Sequence, residues 1–454
     1  TPEGYSLFRN FLFDIAELEE DEKFQQTRLK EIIKLKRWQI KDLAGDRHVI
    51  AFVSGGVDSS VTATLAADVI DDKKLHAFYI DNGFMRDEDE AVIGALRGAG
   101  IPVKKVDAVT EFEQASVEID GKDSGSLDTV TDPEIKRKII GKEFVEVQNR
   151  LVSSLELEEA MLLQGTNAAD RIESGHSTGD SHTQTIKTHH NQVFEVQELK
   201  EAGLLIEPID DLFKDEVREL GRQLGLPEEL VERQPFPGPG LAIRIITSDK
   251  HDRELEPSKD ETKIQAFLDK QNLKTKAHLL PIRSVGVGGD ERSHLSVAAL
   301  DNAKLNAQDL EKLGADLPAN FRSSVNRVIY ALGPQPLTER YLTKTLLTAD
   351  VRAQLRQADR IVFEEMRRAH LLDKIKQFPV VLLPLSFGVE GQRSIVLRPV
   401  TTSTFMTVQA MLPGRDLPPR FFDRITSRIL AEVEDITQVF IDLTNKPPAT
   451  TEWE

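Results

Sequence analysis

Strand-length apolar runs alternate with amphipathic stretches from His48 to Gly165. HVIAFV (His48–Val53), LHAFYI (Leu75–Ile80), VKKVDAV (Val103–Val109) and AMLLQG (Ala160–Gly165) predict strands. Between them SSVTATLAADVI (Ser59–Ile70), DEAVIGALRGAG (Asp89–Gly100) and a long segment from Pro133 to about Leu155 carry helical spacing. Another amphipathic helix, with Leu29, Ile32, Ile33, Ile40 and Leu43 at its apolar positions, precedes the first strand. The alternation predicts an α/β fold, a parallel sheet with helices on both faces.

The pattern then breaks. Residues 166–192 are rich in Gly, Ser, Thr, His and Asn, and a connection this long inside a domain is expected to act as a lid. PFPGPG (Pro235–Gly240) can continue neither a helix nor a central strand, so it closes a first domain of residues 1–245. The charged run Ser248–Lys263 follows as a surface connection. Residues 246–454 look duplicated: Leu279–Leu300 resembles Val381–Val400, and Asn326–Pro336 resembles Thr437–Pro447. Two related α+β subdomains, about 246–345 and 346–454, are expected, each a strand–helix–strand unit. Their sheet edges invite pairing with a second copy of the chain.

Composition narrows the function. The chain is 39% hydrophobic and 30% charged, without an apolar run of membrane-spanning length. Its first residues, TPEGYSLFRNFLFDIAELEE, lack the basic start of a secretory signal, so no membrane partner and a cytoplasmic location are expected. A formal net charge of −18 argues against a nucleic-acid partner, whose affinity would rest on phosphate neutralisation. The sequence contains 0 cysteines, which excludes a thiolate nucleophile, a CxxC redox pair and a Cys-ligated zinc.

The sharpest local signal is SGGVDSS (Ser54–Ser60), where a strand ends and a helix begins. Gly55 and Gly56 allow a tight turn that aims successive N–H groups at one point, and the helix start adds partial positive charge. The hydroxyls of Ser54, Ser59 and Ser60 are further candidate donors. The plain alternative is a Gly-rich turn with an Asp cap. No Lys closes the loop, so it is not the GxxxxGKS type and suits a leaving pyrophosphate better than γ-phosphoryl transfer.

SGGVDSS resembles the pyrophosphate loop of the N-type ATP pyrophosphatases, and YIDNGFMR (Tyr79–Arg86) resembles the second strand of GMP synthases. KRKIIGKEF, LLQGTNAADRIES, IKTHHN, EPIDDLFKDEVRELG, RQPFPGPGLAIR, SVGVGGDERS and KPPATTEWE follow in the order found in that family, so the resemblance runs from Thr1 to Glu454. It implies an adenine nucleotide alpha-hydrolase-like ATP pyrophosphatase domain followed by a duplicated dimerisation domain. It also implies a C–N ligase that converts xanthosine monophosphate (XMP) to GMP with ATP and ammonia. In that family the xanthine O2 attacks the α-phosphorus of ATP, pyrophosphate leaves, and ammonia displaces AMP.

The resemblance further implies that Ser54, Gly55, Gly56, Val57, Asp58, Ser59 and Ser60 hold the nucleotide, with Asp81 at the adenine edge. Asp58 and Asp170 become the candidates for Mg2+. Glu173, Lys187, Lys214 and Asp215 resemble, with Asp58, residues that orient the triphosphate or assist catalysis, and His189–His190–Asn191 would ride on the lid. Arg137, Gly238, Gly240, Lys446 and Glu452 match positions that contact XMP. Three departures stand out. Gln234 stands where many family members carry an aromatic residue or His before PFPGPG, NAAD replaces the Tyr-Pro-Asp version expected before IES, and the family's usual beginning, a glutaminase domain with a cysteine nucleophile, is missing. A glutaminase domain or subunit is therefore an expected partner, alongside homodimerisation. Competing readings are another pyrophosphate-loop ligase, such as NAD synthetase or a tRNA-thiolating enzyme, and a nucleotide-binding scaffold without turnover. Thiolation normally needs cysteines, and NAD synthetase lacks FPGPGLAIR.

Overall fold

The computed structural model describes residues 22–87, 89–157, 160–175, 199–250, 259–288, 291–402 and 407–454. Its first sheet contains β1 (His48–Phe52), β2 (Leu75–Asp81) and β3 (Val103–Asp107). A small hairpin, β4 (Glu118–Ile119) and β5 (Lys122–Asp123), intervenes before β6 (Ala160–Leu163) and β7 (Leu205–Ile206). The sheet order is β3-β2-β1-β6-β7, parallel throughout.

Strand alternation decides which side chain meets which helix layer. Val49 and Ala51 of β1 join Val61 and Leu65 of the helix Val57–Ala67 and Ile33 and Ile40 of the helix Glu22–Ala44. Ile50 and Phe78 face the opposite way, onto Ile139, Ile140 and Val147 of the helix Pro133–Ser154. Asp132 caps that last helix, accepting from the N–H groups of Glu134 and Ile135, and Pro133 fills its first position, where no N–H is required.

The second sheet is built from β8 (Ala277–Gly288), β9 (Glu291–Leu300), β10 (Val325–Ala331), β12 (Val380–Leu383), β14 (Arg393–Leu397) and β17 (Ile436–Asp442). Its order is β12-β14-β17-β10-β9-β8. β11 (Arg340–Leu342) pairs with β13 (Leu385–Phe387), and β15 (Val400–Thr401) with β16 (Gln409–Ala410). The six strands form two like units. β8 and β9 are antiparallel, and the helix Ala307–Asn320 returns the chain to β10, parallel to β9. β12 and β14 are antiparallel, and the helix Pro419–Glu432 returns the chain to β17, parallel to β14. The units meet along an antiparallel β10–β17 seam.

The two sheets share a core. One continuous apolar cluster runs from Ile50 and Phe78, through Leu241 and Ile245, to Val351, Leu355, Val380 and Leu382. Gln234 joins the two halves. It is buried, its amide nitrogen donates to Ile375 O at 2.7 Å, and its oxygen accepts from Phe378 N–H at 3.1 Å. Two peptide groups of the second half are thereby satisfied by one side chain of the first.

Candidate active site

The strand order reverses beside β1: β2 and β3 lie to one side, β6 and β7 to the other. In an open parallel sheet, such a reversal leaves a crevice beyond the carboxyl ends of the strands. SGGVDSS occupies that place after β1, and the turn after β6 closes on it. A Cβ added to Gly165 would lie 2.9 Å from the Asp58 carbonyl carbon and 3.0 Å from Ser59 N, so the contact requires glycine.

Gly55 takes φ +74, and a Cβ there would run into Val92 and Arg233. Gly56 is the helix N-cap, and the first intrahelical bond runs from Ser60 N–H to Gly56 O at 3.0 Å. The N–H groups of Val57, Asp58 and Ser59 precede it and have no intrahelical acceptor, which makes this turn a cradle for anionic oxygens. The hydroxyls divide differently from expectation. Ser60 is fully buried and donates to Gly56 O at 2.8 Å, so it locks the turn and offers nothing outward. Ser59 also donates to Gly56 O, at 3.0 Å, while Ser54 Oγ lies 3.4 Å from Ser59 Oγ at the surface. Val57 contributes a buried side chain to the core.

Asp58 is not a cap, since it lies inside the first turn and Gly56 holds the cap position. Lys214 Nζ, at the start of the helix Lys214–Gln223, approaches its Oδ2 at 3.4 Å. Its Oδ1 is buried and accepts no hydrogen bond. A loop that lacks its own lysine thus receives one from 156 residues along the chain. Asp215, the next residue, goes elsewhere: its carboxylate is 97% exposed and 3.4 Å from Arg218. Successive residues on a helix leave by different faces, so Asp215 points to solvent while Lys214 points to Asp58.

Asp170 lies in the helix Ala168–Gly175, where its Oδ2 accepts from Asn167 N–H at 3.2 Å. Glu173 belongs to the same helix. Lys187, His189, His190 and Asn191, with most of the expected lid, fall outside the described residues. Asp81 is committed to structure: it accepts from Gly83 N–H at 2.9 Å and lies 3.2 Å from Lys105. No group of three or more His, Asp or Glu side chains suited to a metal occurs among the described residues.

A second focus forms where the segment after Asn445 returns over the sheet. Val285 N–H donates to Trp453 O at 2.9 Å and Val287 N–H to Pro448 O at 2.7 Å, so this tail lies along β8. Beneath it Asp442 meets Arg327 at 2.7 Å and Arg398 at 2.8 Å, and accepts from Trp453 Nε1–H at 3.1 Å, all fully buried. Arg398 donates to the carbonyls of Thr444, Thr450 and Thr451, and Arg327 to those of Val285, Thr450 and Glu452. Burial pushes Arg327 down to about 10, still cationic at neutral pH, while Arg398 and Arg327 more than offset the burial of Asp442 and hold its carboxyl below the usual range.

Glu452 is clamped by Arg244 through two bonds, 2.9 and 2.8 Å. Burial raises its carboxyl, but Arg244 outweighs that and leaves it below the usual range. Arg137 donates to Glu454 O, and its Nε is buried without an acceptor. The adjacent Lys136, fully buried, pairs with the Glu454 carboxylate. The tail borders a cleft of about 460 Å³ whose walls include Asp132, Glu134, Arg283, His294, Trp453 and Glu454. Gly238 is exposed nearby in sequence. Gly240 gives its N–H to Pro237 O at 2.9 Å and packs directly on Phe84 O. Lys446 pairs through its backbone with Val408.

A profile described as GMP synthase C terminal domain matches residues 364–453, and one described as NAD synthase matches residues 30–150. The GMP synthase (glutamine-hydrolyzing) of Dictyostelium discoideum is 36% identical over 100% of this chain and 68% of its own length. The chain belongs to the GMP synthase family. The family member from Aquifex aeolicus is 40% identical over 99% of the chain and 65% of its own length. Among solved structures, NMN synthetase from Francisella tularensis superposes on 47% of the chain and 77% of its own at 15% identity, with a TM-score of 0.33. GMP synthase motifs alone singled out Asp58, Lys214, Arg137 and Glu452. They left Arg233, Arg244 and the Arg327–Asp442–Arg398 cluster unremarked. RQPFPGPGLAIR contains two of these arginines, and that was the available signal.

Proposed function

We propose that the chain carries out ATP-dependent amidation of XMP to GMP, a carbon–nitrogen ligation that releases AMP and pyrophosphate. The observation that carries this reading is the glycine turn and open helix start at the strand-order reversal, with Asp58 and Lys214 beside it, in a chain whose family membership spans both halves. Pyrophosphate departure concentrates negative charge, and the free N–H groups of Val57, Asp58 and Ser59 together with Lys214 are fixed donors for it. The orphaned Oδ1 of Asp58 suits a hard cation, and Mg2+ takes one or two carboxylates plus phosphate oxygens. Asp58, with Asp170, would hold it, and bound there it would neutralise charge on the departing group.

The tail and the side chains that hold it suit XMP. Arg137 retains an N–H without an acceptor and can meet the nucleotide phosphate, with Lys446 as a second cation. Glu452, held ionised by Arg244, keeps lone pairs for donors of the base or ribose. Gly238 belongs to the same reading, as do Glu173 and Lys187 for the triphosphate. A glutaminase domain or subunit would supply ammonia, the duplicated half (residues 246–454) would pair two copies, and the cytoplasm is the setting. The test is incubation with ATP, Mg2+, XMP and ammonium. GMP and AMP should appear in equal amounts, and absence of AMP formation with XMP would overturn the reading.

A further inference from the structure

Arg233 is placed as no structural ion pair would be. Its Nη1 donates to Ser54 O at 3.2 Å, at the mouth of the glycine turn, and the Gly55 turn folds directly against it. Its Nε and Nη2 are buried and have no hydrogen-bond acceptor. No carboxylate lies within ion-pair distance of it among the described residues. The neighbouring acid, Asp89, is engaged by Tyr79 OH at 2.6 Å, and burial raises its carboxyl although Arg233 acts on it in the other direction. A guanidinium with buried, unpartnered N–H groups is unfavourable unless something compensates it.

We propose that Arg233 is a positioning residue whose charge is completed by the leaving pyrophosphate: it fixes the Ser54–Gly55 turn and supplies the loop with the cation that its own sequence lacks. The proposal rests on the nucleotide assignment above. It acts at the phosphate end alone, because its contacts are to Ser54 and Gly55.

The experiment is product inhibition of the full chain, with ammonium as nitrogen donor, by pyrophosphate and separately by AMP. Arg233→Met keeps volume and removes charge. Arg233→Gln keeps a donor for the Ser54 carbonyl and also removes charge, and it serves if the Met variant does not fold. Loss of a charge-assisted contact should weaken pyrophosphate inhibition about ten- to a hundred-fold and leave AMP inhibition within about two-fold. Equal weakening of both products would mean that Arg233 only packs the loop, and unchanged pyrophosphate inhibition would mean that its charge is irrelevant. Either outcome overturns the proposal. A wild-type chain that forms no AMP would instead overturn the nucleotide assignment itself.

Discussion

Asp58 turns one carboxylate oxygen toward Lys214 and leaves the other buried without a hydrogen bond, an arrangement that a helix cap would not produce. Replacing it by Asn keeps size and removes charge. Asp58→Asn should slow adenylation of XMP by roughly 10²-fold or more with thermal stability unchanged, measured as pyrophosphate release in single turnover. Near-normal rates would reduce Asp58 to packing. Glu452→Gln tests the second focus. It should raise the Michaelis constant for XMP about ten-fold, leaving that for ATP unchanged, through loss of a charge-assisted contact. Residues whose role is local were legible in the sequence: Gly55 and Gly56 because only glycine makes that turn, Asp58 because it lies within it. Residues that only the packed chain brings to a site gave no such signal: Arg233 and Arg244 lie in one motif, yet only the structure sets one against Ser54 and the other against Glu452.

At the scale of elements, the strands and helices of the first sheet follow their apolar spacing to within a few residues, and the doubled β8–β10 and β12–β17 units follow the internal likeness of the sequence. The tail KPPATTEWE carries neither helical nor strand spacing, yet Trp453 is fully buried. Its order comes from buried cations, which no local pattern reveals. Deleting Thr450–Glu454 would strip Lys136 of its carboxylate and leave Arg244 only Asp359, 3.9 Å away. Each orphaned buried ion costs about 3–5 kcal/mol, comparable in sum to the roughly 5–15 kcal/mol that holds a domain together. The truncated chain should therefore lose the cooperative unfolding of its second half, seen by calorimetry, rather than show only weakened XMP binding. Acid should reach the same element. Asp442 and Glu452 have depressed carboxyls, so the unfolded state binds more protons below the ordinary range. Their contribution is complete above about pH 4.5 and is lost as pH falls through their folded values. Glu454, raised by burial, works in the opposite sense. In a Trp38→Phe variant, Trp453 emission should shift to the red only well below pH 4.5. A shift near neutrality would contradict the carboxylate clamp.

For the whole molecule, these 454 residues contain no cysteine to form a thioester with glutamine. They should amidate XMP with ammonium, faster as pH rises and NH₃ replaces NH₄⁺, and hydrolyse no glutamine when purified. Glutaminase activity in that preparation would contradict this. Sedimentation at micromolar concentration should show a dimer. Two consecutive side chains bear on how the halves communicate. Arg233 reaches the Ser54 carbonyl, while Gln234 grips Ile375 and Phe378 at the entrance to β12. The dipeptide thus ties the glycine turn to the second half, and under the function proposed above any coupling it carries between the ATP and XMP sites is reciprocal. Whatever factor ATP contributes to XMP affinity, XMP must return to ATP, and shortening the link with Gln234→Ala should bring both factors toward unity together.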